Sequence, residues 1–291
     1  MSLSVGIVGL PNSGKSTLFN ALLKRQIANV AAYPFTTIEP NVGIVEVPDE
    51  RLKALSRIIT DEKRLPVGKA GIDTEIKVVP ATVTFIDIAG LVKDAHKGEG
   101  LGNQFLAKIR EVDAIIHIIR GFEEPSVSHY YGSIDPQRDK EIVDLELELG
   151  GIKKPTLYVL NISVNSEQST VNSQNFLKVN AKTGEGVGDL IKKAYELLEL
   201  ITFYTIKGGK ETTAWSIKKG SNALEAAEKV HTDMAKGFIK AEVINIDDLL
   251  KSGLPAQAGG WTQAKSLGKI KLEGREYLVE DGDVIEFKFS K

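Results

Sequence analysis

The first 200 residues alternate short apolar runs with segments in which apolar positions recur at helical spacing. The clearest predicted strands are SVGIVGL at 4–10, ATVTFIDIAG at 81–90, AIIHIIRGF at 114–122 and PTLYVLNI at 155–162. Helical periodicity returns between these strands and again in GDLIKKAYELLEL, at 188–200. This alternation predicts an α/β fold, in which a mostly parallel sheet is covered by helices on both faces.

Beyond residue 200 the pattern changes to short strands of alternating apolar and polar residues. They surround one helical segment, NALEAAEKVHTDMAKG at 222–237. The sequence therefore predicts two domains, an α/β domain over 1–200 and a small α+β domain over 201–291.

Composition excludes several classes of protein. The 291 residues are 42% hydrophobic and 26% charged, which is typical of a globular chain with room for two domains. The longest apolar runs fall far short of the roughly 20 residues that span a bilayer, and no export signal is recognisable, so we expect a cytoplasmic protein without membrane contact. The absence of cysteine excludes disulfides and thiolate zinc sites. A net charge of -2 means that any nucleic-acid binding must come from a local basic patch.

The segment GLPNSGKST, at 9–17, matches the phosphate-binding motif G-x-x-x-x-G-K-[ST] between a predicted strand and a predicted helix. Backbone amides of such a loop wrap the phosphates of a nucleoside triphosphate, and the helix N-terminus favours their charge. The predicted nucleotide-binding residues here are Asn12, Ser13, Gly14, Lys15, Ser16 and Thr17. Lys15 would meet the β- and γ-phosphates and so act in catalysis. The alternative is a chance glycine-rich turn.

Magnesium binding is predicted from three segments. Ser16 follows the phosphate-loop lysine, and Asp87 ends the strand of FIDIAG, with Gly90 placed three residues later to sense the γ-phosphate. Between them, YPFTTIEPNVG offers Thr36 and Thr37 as switch-loop hydroxyls, of which Thr37 is preferred. Ser16, Thr37 and Asp87 are thus the predicted Mg²⁺ ligands.

Leu91 follows Gly90, where a Ras-type switch has the glutamine that orients the attacking water. The segments GLPNSGKSTLFNAL, YPFTTIEPNVG and DIAGLVKDAHKGEGLGNQFLAKIRE resemble the YchF family of Obg-related P-loop NTPases, whose members also have a hydrophobic residue there. The resemblance implies that a histidine on a mobile loop assists hydrolysis, and His129 matches it. His96, in the glycine-flanked segment after DIAG, is a second catalytic candidate, and surface placement is the alternative for both.

Asn12 is similar to an asparagine that helps hold K⁺ in some relatives that lack the glutamine, although an ordinary loop asparagine explains it equally well. Base selection is open. Guanine-specific relatives use N-K-x-D and the YchF pattern is N-x-x-E, whereas Val164 ends the segment Asn161-Ile162-Ser163-Val164 and carries no carboxylate. Asn161 and Lys182 are predicted to lie beside the base, and ATP or dual use ranks above GTP alone.

YchF proteins usually insert a long helical arm before the base-recognition strand, and this chain has no room for one. Its C-terminal part resembles the TGS domain, a β-grasp module of the same family. Ribosome or RNA binding through that domain is the favoured expectation, with a solvated surface as the alternative. The basic residues that would form the patch are Lys218, Lys219, Lys229, Lys236, Lys240, Lys269, Lys271 and Arg275.

The leading hypothesis is a slow NTPase switch. The alternatives are a GTP-specific GTPase, a nucleotide sensor that does not hydrolyse, and a metabolic kinase, against which the switch-like loops argue.

Overall fold

The computed structural model describes residues 3–26, 41–63, 76–88, 101–163, 176–252 and 260–290. Its strands, in chain order, are β1 (Ser4–Val8), β2 (Val42–Glu46), β3 (Lys77–Val79), β4 (Thr82–Asp87), β5 (Ala114–Arg120), β6 (Thr156–Asn161), β7 (Leu177–Val179), β8 (Leu200–Lys207), β9 (Glu211–Lys218), β10 (Phe238–Asn245), β11 (Lys271–Glu273) and β12 (Asp283–Phe289).

The helices within the same ranges are α1 (Lys15–Gln26), α2 (Glu50–Lys63), α3 (Leu101–Glu111), α4 (Pro136–Leu149), α5 (Val187–Leu197), α6 (Ala223–Val230), α7 (Thr232–Lys236), α8 (Ile246–Ser252) and α9 (Trp261–Ser266). None of the helices in these described ranges is both long enough and apolar enough to cross a membrane.

The chain divides into two compact units. Unit 1 comprises Met1–Val47 and Val83–Leu198, and unit 2 comprises Pro48–Thr82 and Glu199–Lys291. The C-terminal part of unit 2 begins at Glu199, and the sequence pattern changes at residue 201. However, the segment Pro48–Thr82 clusters with the C-terminal unit, whereas the sequence places it in the first domain.

Unit 1 contains a six-stranded sheet in the order β2-β4-β1-β5-β6-β7. Strand β1 is parallel to β4 and β5, β5 is parallel to β6, and β6 is parallel to β7. One face packs on α3 and α4 through a buried cluster that includes Val8, Ile115 and Val143. Side chains alternate along a strand, so Ile7 points to the opposite face, and α1 and α5 contact the sheet outside that cluster. The predicted sheet with helices on both faces is confirmed.

Unit 2 contains a second six-stranded sheet, in the order β11-β10-β12-β8-β9-β3. Strands β8 and β9 form an antiparallel hairpin, and β12 lies parallel to β8 in the centre. Helix α6 begins with a capping box between Asn222 and Glu225 and buries Ala223, Ala226 and Ala227 against the sheet. This order agrees with the β-grasp arrangement expected from the sequence, and the TGS assignment remains a prediction.

A polar cluster that is buried on one side, at Tyr204 and Asp49, and exposed on the other, at Arg51 and Asp281, explains why Pro48–Thr82 belongs to unit 2. The Tyr204 hydroxyl on β8 donates to the Asp49 carboxylate, just before α2. Arg51 contacts Asp49 at 3.2 Å and Asp281 at 2.6 Å. Strand β3 completes the attachment, because it pairs in parallel with β9. Except for Arg51 with Asp49, these contacts join residues far apart in sequence, so hydrophobic periodicity cannot predict them.

Candidate nucleotide-binding site

The phosphate loop connects β1 to α1, and its backbone requires glycine. Gly14 has a φ of 96°, and a Cβ atom added there would lie 2.3 Å from the Asn161 Nδ2 atom. A Cβ atom at Gly9 would lie 2.4 Å from the Ile118 carbonyl oxygen. Asn12 also takes a positive φ, 62°, which asparagine tolerates better than most residues. The loop therefore has the left-handed turns and close approaches that a phosphate cradle needs.

Lys15 is folded back over its own loop. Its ammonium group donates to the Gly9 carbonyl oxygen at 3.2 Å and to the Leu10 carbonyl oxygen at 2.8 Å, and the residue is 8% exposed. Burial lowers the pKa of Lys15 to about 8, although the nearby Asp87 carboxylate raises it in part. The charge is thus held beside the loop, near where phosphates would be bound.

Ser16 and Asp87 lie together as the sequence predicts. The Ser16 hydroxyl, in the first turn of α1, donates to the Asp87 Oδ2 atom at 2.9 Å. The parallel pairing of β1 with β4 matches Ile7 with Asp87, which brings the aspartate to the strand end beside the phosphate loop. A hydroxyl and a carboxylate are hard oxygen donors that fit Mg²⁺, whose remaining ligands in such sites are phosphate oxygens and water. Thr37 and Gly90 lie outside the described residues.

A cleft of about 430 Å³ adjoins the phosphate loop, a size suited to a small-molecule ligand. The phosphate loop and the start of α1 contribute Asn12, Gly14, Lys15, Ser16 and Thr17 to its lining, while Ser13 of the same loop is buried. The other lining residues are Phe122, Glu124, Ser126, Val127 and Lys182. The cleft is thus formed by the phosphate loop together with residues that follow β5 and β7.

Asn161 is buried and connects two loops. Its Nδ2 atom donates to the Ser13 carbonyl oxygen at 3.1 Å, and its Oδ1 atom accepts from the Ala181 amide at 3.1 Å. The asparagine predicted to lie beside the base therefore ties the phosphate loop to the loop that carries Lys182. The Lys182 side chain is 71% exposed and its ammonium group lies 2.7 Å from the Glu124 Oε2 atom.

His129 lies away from the phosphate loop contacts just described. Its Nε2 atom is 2.7 Å from Asp139 Oδ2, and its Nδ1 atom accepts from the Tyr131 amide at 3.1 Å. Both side chains of the His129–Asp139 pair are buried. The loop does touch the phosphate loop through Asn12, whose Nδ2 atom donates to the Ser128 carbonyl oxygen at 3.1 Å. The structure therefore connects the His129 loop to the nucleotide site, with the imidazole itself held by Asp139.

The other three histidines lie elsewhere in the chain. His117 is 1% exposed within β5 and is therefore a core residue. His231 is exposed at the start of α7 in unit 2. His96 lies outside the described residues.

The sequence patterns did not predict two residues, one that supports the loop lining the cleft and one that lines the cleft itself. Arg120 is 3% exposed, and its guanidinium donates to the carbonyl oxygens of Phe122, Val127 and Ser128. Glu124 carries a carboxylate into the cleft. The position of Arg120 at the end of a mostly apolar strand could have indicated a structural role for it. The acidic pair that follows Phe122 could have indicated a functional role for Glu124.

The basic residues proposed for the second domain are mostly exposed. Lys240 is half-buried, and the remaining seven are exposed. They are spread over β9, α6, α7, β10 and β11, the residue after β9, the segment before β11 and the turn after β11. Acidic Glu225, Glu228, Asp247 and Asp248 are exposed in the same unit.

Comparison with known proteins identifies both parts of the chain. A family model described as "50S ribosome-binding GTPase" matches residues 4–162. A second model, for the C-terminal region of YchF GTPases and described as a protein of unknown function, matches residues 200–290. The sequence is 36% identical to the "Ribosome-binding ATPase YchF" of Bacillus subtilis strain 168 and 36% identical to that of Haemophilus ducreyi, over the full length of every chain.

A solved structure and the length of the sequence alignment also relate this chain to YchF proteins. The solved structure of the Schizosaccharomyces pombe YchF GTPase matches 99% of this chain and 98% of its own, with a TM-score of 0.74 and 26% identity. The alignment with the Bacillus relative spans 387 positions, 96 more than the 291 residues here, which agrees with a shortened form. Because family models match both units and close relatives match the chain from end to end, the protein belongs to the YchF family of P-loop NTPases.

Proposed function

We propose that this protein binds ATP with Mg²⁺ at the phosphate loop, hydrolyses it slowly and associates with the ribosome. The observation that carries the proposal is the hydrogen bond of 2.9 Å between Ser16 and Asp87, beside the buried Lys15. This is the oxygen pair and the cation that a triphosphate with magnesium requires. Bound magnesium would neutralise charge on the β- and γ-phosphates.

ATP is the preferred nucleotide. The relatives from Bacillus and Haemophilus are named as ATPases, whereas the Schizosaccharomyces protein and the N-terminal family model are named as GTPases. In this chain Val164 offers no carboxylate for the N1 and N2 groups of guanine. GTP is therefore the second candidate substrate.

His129 is the proposed group that assists hydrolysis, with His96 as the alternative. Since Asp139 and the Tyr131 amide engage both nitrogens of the His129 ring, it would have to leave Asp139 in order to reach a γ-phosphate. Asn12 would couple such a movement to the phosphate loop, because its side chain binds the carbonyl oxygen of Ser128, the residue before His129. If K⁺ also binds, the Asn12 Oδ1 atom is the proposed ligand.

The first experiment measures ATP binding and phosphate release by the full-length protein. Lys15→Ala removes the cation that faces the phosphates, so we expect loss of ATP binding of at least about tenfold. Ser16→Ala should raise the Mg²⁺ concentration needed for half-maximal hydrolysis. Lys24→Ala, on an exposed position of the same helix, is the control. A parent protein that binds ATP but releases no phosphate with ribosomes and K⁺ present would be a nucleotide sensor instead.

Ribosome association rests on the relatives' names and on the exposed basic residues of unit 2. Co-sedimentation with ribosomes at several salt concentrations tests it, because contacts to phosphate weaken as salt rises. Lys269→Glu with Lys271→Glu should reduce co-sedimentation. Asp247→Lys with Asp248→Lys reverses charge elsewhere in unit 2 and serves as the comparison.

A further inference from the structure

The nucleotide cleft is lined by a carboxylate that comes from outside the phosphate loop. Among the described residues that line this cleft, only Glu124 carries one. Its Oε2 atom accepts from the Lys182 ammonium group at 2.7 Å, and its Oε1 atom accepts from the Ser126 hydroxyl at 3.0 Å. The two charged side chains come from different loops, after β5 and after β7, and they meet within the cleft.

Position 164, where the family pattern has a carboxylate, carries valine in this chain. The side-chain amide of Asn161 is hydrogen-bonded to the Ser13 carbonyl oxygen and to the Ala181 amide. The residue three positions later is Val164. A side chain of valine can neither accept nor donate a hydrogen bond. Among the described residues that line the cleft outside the phosphate loop, Glu124 and Lys182 are the charged pair, and they offer an acceptor and a donor for a purine edge.

The chemistry of this pair matches adenine. An ionised carboxylate only accepts hydrogen bonds and an ammonium group only donates them. Adenine presents an amino group that donates beside a ring nitrogen that accepts. Guanine held in the same orientation would present its carbonyl oxygen to the carboxylate, which is an unpaired contact between two acceptors. Such a pair would distinguish the two purines without any help from position 164.

We propose that Glu124 is a specificity-determining residue, which accepts a hydrogen bond from the amino group of adenine while Lys182 donates to the adjacent ring nitrogen. This inference rests on the proposed function of the site, ATP binding. It is supported by the ionisation of the group, since hydrogen bonds from Lys182 and from Ser126 hold the pKa of the Glu124 carboxyl below its usual range. The acceptor is therefore ionised at neutral pH.

The test is equilibrium binding of four nucleotides to the full-length protein, namely ATP, GTP, 2′-deoxy-ATP and purine riboside triphosphate, which lacks the amino group. Glu124→Ala should weaken ATP about 10- to 100-fold, the usual range for a hydrogen bond to a charged group. Binding of purine riboside triphosphate should stay within about twofold of the parent, and the preference for ATP over GTP should fall. Glu124→Gln, which preserves volume, should lie between the two proteins. Glu123→Ala is the matched control, because Glu123 is exposed and is not among the residues described as lining the cleft.

Three outcomes overturn the proposal. Equal weakening of all four nucleotides would mean that the Glu124–Lys182 pair only shapes the cleft. Weakening of ATP and purine riboside triphosphate but not of 2′-deoxy-ATP would assign Glu124 to the ribose. Unchanged affinities would remove Glu124 from recognition altogether. If the parent binds ATP in a manner that needs Lys15, each of these results leaves the proposed function intact, whereas a parent that binds no ATP overturns both.

Discussion

At the scale of single residues, Gly14 is the most constrained position of the phosphate loop. Gly14→Ala would place a methyl group 2.3 Å from the Asn161 Nδ2 atom and strain a φ of 96°. Asn161 would have to move and lose its bonds to Ser13 and Ala181. We expect the variant to lose nucleotide binding and to be destabilised by roughly 2–4 kcal/mol, measured by denaturant unfolding.

Gly132→Ala provides the matched comparison. Its φ of 77° is also positive, but nothing lies within 4 Å of the added Cβ atom. It should cost only the backbone strain, about 1–2 kcal/mol, and leave nucleotide binding unchanged. Equal effects of the two variants would show that backbone conformation, and not crowding by Asn161, makes glycine necessary at position 14.

From the burial of His117 we expect the free energy of unfolding to depend on pH. Burial lowers the pKa of its imidazole, although Asp144, 3.6 Å from Nδ1, acts in the opposite direction. Lys140 and Asp139 of α4 and Tyr158 of β6 also face this cluster. Below pH 6.5 the imidazole takes up a proton in the unfolded chain but not in the folded protein. The contribution of His117 to the free energy of unfolding is therefore complete above pH 6.5 and is lost as the pH falls below it.

The measurement is the free energy of unfolding between pH 7.5 and 5.5, a window above the titration of ordinary carboxylates. One proton contributes a slope of at most about 1.4 kcal/mol per pH unit. His117→Gln should flatten the profile in this window. An unaltered slope in the variant would assign the dependence to another group.

At the scale of elements, the cleft wall depends on a buried arginine at the end of β5. Arg120 binds three carbonyl oxygens of the loop 122–129 and stacks on the Phe122 ring, 4.6 Å from its centroid. Arg120→Lys keeps the charge but cannot reproduce the planar set of donors. We expect faster hydrogen exchange over residues 122–129 and ATP affinity several-fold weaker. Arg110→Lys, where an exposed arginine makes one described bond, to Gly150, is the control. Unchanged exchange would mean that other contacts hold the loop.

The elements also show which features the sequence could reveal. Strand-loop-helix order and the phosphate loop are local, so periodicity and the spacing of Gly9, Gly14 and Lys15 predict them. The pairing of Asp87 with Ser16 follows from the parallel order of β4 and β1, which the α/β pattern implies. By contrast, the hold of Arg120 on its loop, the Glu124–Lys182 pair and the contact of His129 with Asp139 depend on side-chain directions in loops, which have no periodic signal.

At the scale of the whole molecule, the division into units does not follow the order of the chain. Pro48–Thr82 leaves unit 1 after β2 and returns at β4, and it adds α2 and β3 to the unit built mainly from the C-terminal residues. No local pattern distinguishes α2 from the helices of unit 1. Its place is set by Asp49 and Arg51, whose partners, Tyr204 and Asp281, lie more than 150 residues away.

Removal of the Tyr204 hydroxyl tests how Pro48–Thr82 is held in unit 2. Burial raises the pKa of Tyr204, and the hydrogen bond to Asp49 raises it further, so the phenol stays neutral and donates. Tyr204→Phe leaves the partly buried Asp49 carboxylate without this donor, which should cost roughly 1–3 kcal/mol. Hydrogen exchange should then rise in α2 and β8 within unit 2. Tyr130→Phe, in which a 43% exposed tyrosine of unit 1 is changed, should leave those amides as they are. If exchange in α2 stays at the parent rate in Tyr204→Phe, the attachment instead rests on Arg51 and on the pairing of β3 with β9.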